Sequence, residues 1–185
     1  MAGGTPLARA AGELTYPVGG QVVKCKTMKA FSLILPALLL FAPLSTVDAD
    51  VTDKLIGKWS GTATATSGGV AIPENVTTVF RRLEKKGLLI TTTVKVSGQP
   101  SVLGTSRYHD NGKVDGELKL NGAVVAVVSG TWGISDKVLK ANVKANGLFP
   151  SFRITSKTTL AGANRITIVG TTSSGERSVG ALTRK

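Results

Sequence analysis

From Lys58 to the C-terminus the apolar positions recur with period two and β-branched residues dominate, which predicts strands. The first runs over about Lys58–Thr66, with Trp59, Gly61, Ala63 and Ala65 on one face and Ser60, Thr62 and Thr64 on the other. Further strands are predicted over Val76–Glu84, Leu88–Ser97, Val102–Tyr108, Val114–Leu120, Ala123–Trp132, Val138–Ala145, Phe149–Leu160, Arg165–Thr172 and Arg177–Arg184. Asn111-Gly112, Asn121-Gly122 and Asn146-Gly147 fall between such segments and read as hairpin turns, because a type I′ turn needs positive φ at both central residues. Ser67–Pro73 reads as a loop, and no segment carries a convincing helical period.

About ten short-looped strands form an antiparallel meander. Closure removes the unpaired edge groups of such a ribbon, so the expected fold is all-β, an up-and-down barrel of about 8–10 strands. A two-sheet sandwich is the alternative.

Upstream the pattern changes. Met28-Lys29 precedes the apolar run Ala30–Pro43, and the polar stretch Leu44–Asp48 ends at Ala49. This reads as a signal peptide over 28–49, cleaved after Ala49, which makes the mature chain periplasmic or secreted. The run is shorter than the roughly 20 residues that span a bilayer, so no transmembrane segment is expected in the mature form. Residues 1–27 are Gly- and Ala-rich without a clear period and read as a non-structural extension, either from a misplaced start codon or as a long leader. Residues 50–185 form the barrel domain.

Composition narrows the chemistry. The single Cys, Cys25, lies before the cleavage point, so the mature domain has no disulfide and no thiolate metal site. The chain carries 23 Lys and Arg against 11 Asp and Glu; four of the basic and two of the acidic residues precede Asp50. The surplus is spread one or two residues per strand. A nucleic-acid surface shows a denser patch interleaved with aromatics, so no specific nucleic-acid partner is expected. An outer-membrane barrel needs aromatic girdles, and only Trp59, Phe80, Tyr108, Trp132, Phe149 and Phe152 remain after Ala49.

His109 is the only His and stands beside a turn, where it reads as solvated. With no second His and no Cys, a zinc site has no ligand set, and a haem would need an axial His inside the barrel; no metal or cofactor is expected. The acidic residues, Glu74 included, read as turn or solvated-face residues, and Asp115, Glu117 and Lys119 share one strand face. No nucleophile elbow or phosphate loop occurs, so the protein is not expected to be an enzyme.

Gly57-Lys58-Trp59 opens the first strand, directly after the export signal, and Gly130-Thr131-Trp132 follows the Asp110-Asn111-Gly112 hairpin. These pieces resemble the Gly-x-Trp signature of lipocalins and related calycin barrels, as found in small exported bacterial domains. The resemblance implies that Trp59, preceded by Gly57, plugs a closed end, with Arg177 or Arg184 packed on it. It also implies a ligand pocket at the open end. Phe80, Arg82, Arg107, Tyr108 and Trp132 are the candidate lining residues, and the two arginines favour an anionic head group. The expected function is binding of a small apolar or anionic molecule. The alternative is a ligand-free interaction or inhibitor module of the cell envelope, with the nearly all-apolar Ala123–Trp132 strand as its interface.

Overall fold

The computed structural model describes residues 13–18, 21–26, 49–83, 85–147 and 151–185, with side chains from Val51 onward. The apolar leader run, Glu84 and Phe149 lie outside the described residues. The chain divides into two units, Met1–Phe31 and Ser32–Lys185.

In the first unit β1 (Glu13–Val18) pairs antiparallel with β2 (Gln21–Lys26). The stretch expected to lack structure therefore holds a hairpin. Leu14, Tyr16 and Val18 alternate with Glu13, Thr15 and Pro17, a period too short to stand out from its Gly-rich surroundings.

The second unit opens with α1 (Ala49–Leu55), a helix where none was expected. At seven residues it spans two turns, too few for a helical period to register. Val51 and Leu55 are buried, as is Thr52. Ten strands follow: β3 (Gly57–Ser67), β4 (Val70–Arg82), β5 (Leu88–Lys95), β6 (Val102–Tyr108), β7 (Lys113–Leu120), β8 (Ala123–Ser135), β9 (Val138–Gly147), β10 (Phe152–Gly162), β11 (Arg165–Thr172) and β12 (Arg177–Arg184). Each pairs with the next, and β12 pairs back onto β3 from Arg177↔Thr66 to Arg184↔Trp59, so the sheet is a closed ten-stranded barrel.

Two of the differences in strand limits from expectation are larger than a shift of an end by a few residues. β4 begins at Val70, not Val76, because the ladder with β3 runs through Thr64↔Pro73 to Ser67↔Val70. Asn146-Gly147 is not a turn. Gly147 pairs with Ala126, opposite a bulge in β8 that leaves Val125 between the paired residues Val124 and Ala126. A Cβ at Gly147 would lie 2.1 Å from the Val125 carbonyl oxygen, so glycine serves close approach here. Asn121-Gly122 does turn as its chemistry demands, with φ of 50° and 83°.

The interior is graded. Trp59, Phe80, Tyr108 and Trp132 are all below 2% exposed and gather at the end that α1 covers, with Leu88, Ile134, Leu139 and Leu182. Towards the opposite rim small or polar inward positions, among them Ala63, Ala65, Glu74, Ala145, Ser156, Thr158, Ser178 and Gly180, share the interior with apolar ones such as Val94, Val102, Leu118, Val128 and Phe152.

Candidate functional site

The closed end is built by indole donors and arginine forks. Trp59 Nε1 donates to the Leu55 carbonyl at 2.7 Å, tying the first strand to the last turn of α1. Arg184 lies over the Trp59 ring and donates to the carbonyls of Ile56, at 3.0 Å, and Lys54. Trp132 repeats the arrangement: its Nε1 donates to the His109 carbonyl at 2.8 Å, and its ring meets Tyr108 edge-on at 5.3 Å. Phe80 is buried in the same layer.

Three of the five candidate lining residues, Phe80, Tyr108 and Trp132, are therefore the floor of the barrel and not the wall of an open pocket. Arg82 is not on a ligand wall either. It donates to Thr52 Oγ1 at 3.1 Å and to Asp53 Oδ1, clasping α1 from the end of β4. Arg107 points outward from β6, with its side chain 57% exposed, and donates to Asp115 Oδ2 at 3.1 Å. Among the described residues no arginine reaches the interior above the floor to favour an anion. Gly57 and Trp59 open β3 at the end that α1 covers, with Trp59 fully buried. The arginine on Trp59 is Arg184; Arg177 sits at the other end of β12, exposed, paired in register with Thr66.

A second group was not anticipated. Glu74, on β4, points into the barrel at 1% exposure, and neither carboxyl oxygen has a hydrogen-bond partner. Ser156 Oγ, Thr158 Oγ1 and Ser178 Oγ are buried and unpartnered in the same way. The ladder places them on one stretch of wall. One register row reads Thr158–Ile168–Gly180–Ala63–Glu74 across β10, β11, β12, β3 and β4; the adjacent row reads Ser156–Gly170–Ser178–Ala65–Ile72. The polar groups stand on β10, β12 and β4, with Ile168, Gly170, Gly180, Ala63 and Ala65 between them. Other inward hydroxyls find partners: Thr78 and Thr92 bond to each other at 3.1 Å, and Thr172 bonds to Glu176 at the rim.

Each unpartnered buried polar group costs about 1–3 kcal/mol, so four on one wall is a large debt for a scaffold to carry without return. Burial pushes the Glu74 carboxyl up from 4.5 to about 8, so at neutral pH it is mostly protonated and can donate.

Extending the period-two alternation back from Phe80, Thr78 and Val76 would have placed Glu74 inward; Pro73 hid the strand. Outward Arg153 and Lys157 equally imply inward Ser156 and Thr158 on β10.

Shallow grooves mark the outer face of the described strands. One, of about 360 Å³, crosses β12, β3 and β4 between Ser60, Thr62, Asn75, Thr77, Thr183 and Lys185. Another, of about 400 Å³, crosses β6, β7 and β8 and includes Arg107, Asp115, Glu117 and Val127. Beside it His109 Nε2 meets Asp115 Oδ1 at 2.5 Å, so the histidine is half-buried and paired, not solvated. Partial burial works to raise Asp115, but the bonds and charges of His109 and Arg107 outweigh it and hold the carboxyl low. Lys119 pairs with Glu117 at 2.5 Å on the same face. Among the described residues no three His, Cys, Asp or Glu side chains gather as a metal site, and no helix is long and apolar enough to cross a membrane.

No family profile and no curated protein matches the chain. Among solved structures the chain is similar to Rv2717c from M. tuberculosis, at 15% identity and a TM-score of 0.54, over 74% of this chain and 96% of that one. It is also similar to a redesigned beta barrel, at 16% identity and a TM-score of 0.48, over 77% and 99% of the two chains. The S-type phycobiliprotein lyase CPES from Guillardia theta follows at 9% identity and a TM-score of 0.47, over 74% and 91%. The likeness to Rv2717c speaks for the barrel fold alone.

Proposed function

We propose that this is an exported, calycin-like barrel that binds a small molecule in its interior, against the panel of Glu74, Ser156, Thr158 and Ser178. The observation that carries the reading is those four buried side chains with no partner in the protein. A barrel that served only as a scaffold would do better with apolar residues of similar volume there. The rest of the interior suits such a guest. Aromatic rings close the floor, and Val94, Val102, Leu118, Val128 and Val143 offer an apolar wall for a hydrocarbon body. The guest would enter from the rim opposite α1. Export rests on the Met28–Ala49 segment, and action by binding, not catalysis, on the absence of a nucleophile motif in the sequence. The calycin reading is supported by the packing of Arg184 on Trp59 behind Gly57.

An envelope interaction module remains the second reading. It is favoured by Val124 and Val127 on the outer face of β8, which are 48% and 57% exposed.

Native mass spectrometry of the protein purified from its own host tests the first reading. A co-purifying small molecule that is lost from Glu74→Ala protein supports it. A clean mass, with no small molecule taken up from a host extract, argues for the second.

A further inference from the structure

The charge arrangement inside the barrel indicates what kind of head group the panel takes. Resting on the interior-binding reading, we propose that the bound molecule carries a protonated amine, held by the Glu74 carboxylate.

Glu74 is the one charged residue facing the upper interior among the described residues. The inward positions of β3 above the floor are Gly61, Ala63 and Ala65; those of β5 are Ile90, Thr92 and Val94. Those of β10 are Phe152, Ile154, Ser156, Thr158 and Leu160; those of β11 are Ile166, Ile168, Gly170 and Thr172; those of β12 are Ser178, Gly180 and Leu182. None of these titrates. The inward arginines, Arg82 and Arg184, are held at the closed end on the backbone and side chains around α1. The lysines and arginines of neighbouring strands, such as Lys95, Arg153, Lys157 and Arg177, face outward. The acid nearest the open rim, Glu176, is occupied by Thr172 and Ser174.

An anion would meet an acid there and no compensating cation. A neutral carbonyl could be served by a glutamine or a hydroxyl, without the ionisation penalty of a buried acid. An ammonium group needs what this wall offers, because it has three donors and no acceptor. The Glu74 carboxylate supplies its counter-charge and accepts from it. Binding then ionises Glu74 and releases its proton to solvent.

The test titrates the purified full chain with octylamine, 1-octanol and octanoate by calorimetry at pH 7 and pH 9. Octylamine should bind at least about tenfold tighter than either analogue. It should release protons at pH 7 and bind tighter at pH 9, where Glu74 is already ionised and the amine still charged. Glu74→Gln, verified as folded by circular dichroism, should bring the amine down to the octanol level. Octanol or octanoate binding as tightly as the amine overturns the head-group assignment and leaves interior binding standing. Binding of none of the three overturns the interior site itself.

Discussion

The guanidinium carbon of Arg184 lies 4.5 Å from the centroid of the Trp59 ring. Two residues from opposite ends of the barrel domain thereby lock the last strand onto the first. The same guanidinium donates to the Ile56 carbonyl at 3.0 Å, so the pair also holds the chain where α1 passes into β3.

Arg184→Met keeps much of the stem's packing and removes both the ring contact and the carbonyl bonds. It should cost about 1–3 kcal/mol in urea unfolding followed by tryptophan fluorescence. Arg177→Ala, at the exposed end of the same strand, should stay within about 0.5 kcal/mol of wild type. Equal effects from the two would remove Arg184 from the closing role.

Trp132→Phe leaves the His109 carbonyl without its 2.8 Å indole donor at the second Gly-x-Trp corner. A loss of about 1–3 kcal/mol is expected in the same assay. An unchanged midpoint would mean the bond contributes nothing net.

Glu74 gives the fold a pH signature of opposite sign to that of an ordinary carboxylate. Its pKa is about 8 in the folded protein and 4.5 when unfolded. Between those values the folded state binds one proton more than the unfolded state, so stability falls as pH rises. The slope is about 1.4 kcal/mol per pH unit from this group. Glu74→Gln should flatten the slope over that window and raise Tm at pH 7.5. Asp115 and Glu176 act elsewhere. Burial works to raise Glu176, but the hydroxyls of Ser174 and Thr172 and its own backbone amide outweigh it and lower it, so both groups lose their contribution only as pH falls below the usual carboxylate range. A wild-type Tm that is flat from pH 5 to pH 8, matching the variant, contradicts the burial of Glu74.

The two nominated arginines should be dispensable for the guest. Arg107→Ala, on the outer face, should leave the co-purifying small molecule at wild-type occupancy in native mass spectra. Arg82→Met should leave it too, while speeding amide exchange in Ala49–Leu55, which Arg82 clasps through Thr52 and Asp53. Loss of the guest from Arg107→Ala would move the site to the outer groove.

The barrel was legible because its signals are local. Alternation places Trp59, Ala63 and Ala65 on one face, and Asn121-Gly122 turns by its own φ preference. Closure followed from strand count. The site was less legible because it is assembled across five strands whose register no local signal specifies. Glu74 and Thr158 are 84 residues apart in sequence and lie on one row only because β12 closes on β3. Aromatic residues drew attention as pocket-liners, yet their bulky rings fill the floor of the barrel. Arg82 alternates inward, but at the last position of β4 it meets α1 and not the interior. That helix was too short to foresee.

The most direct measurement is the titration of the Glu74 side-chain carboxyl by carbon-13 NMR, assigned by comparison with Glu74→Gln. The account predicts a midpoint near 8 in the guest-free protein. A midpoint near 4.5, the ordinary value, would put Glu74 in water and remove the interior site.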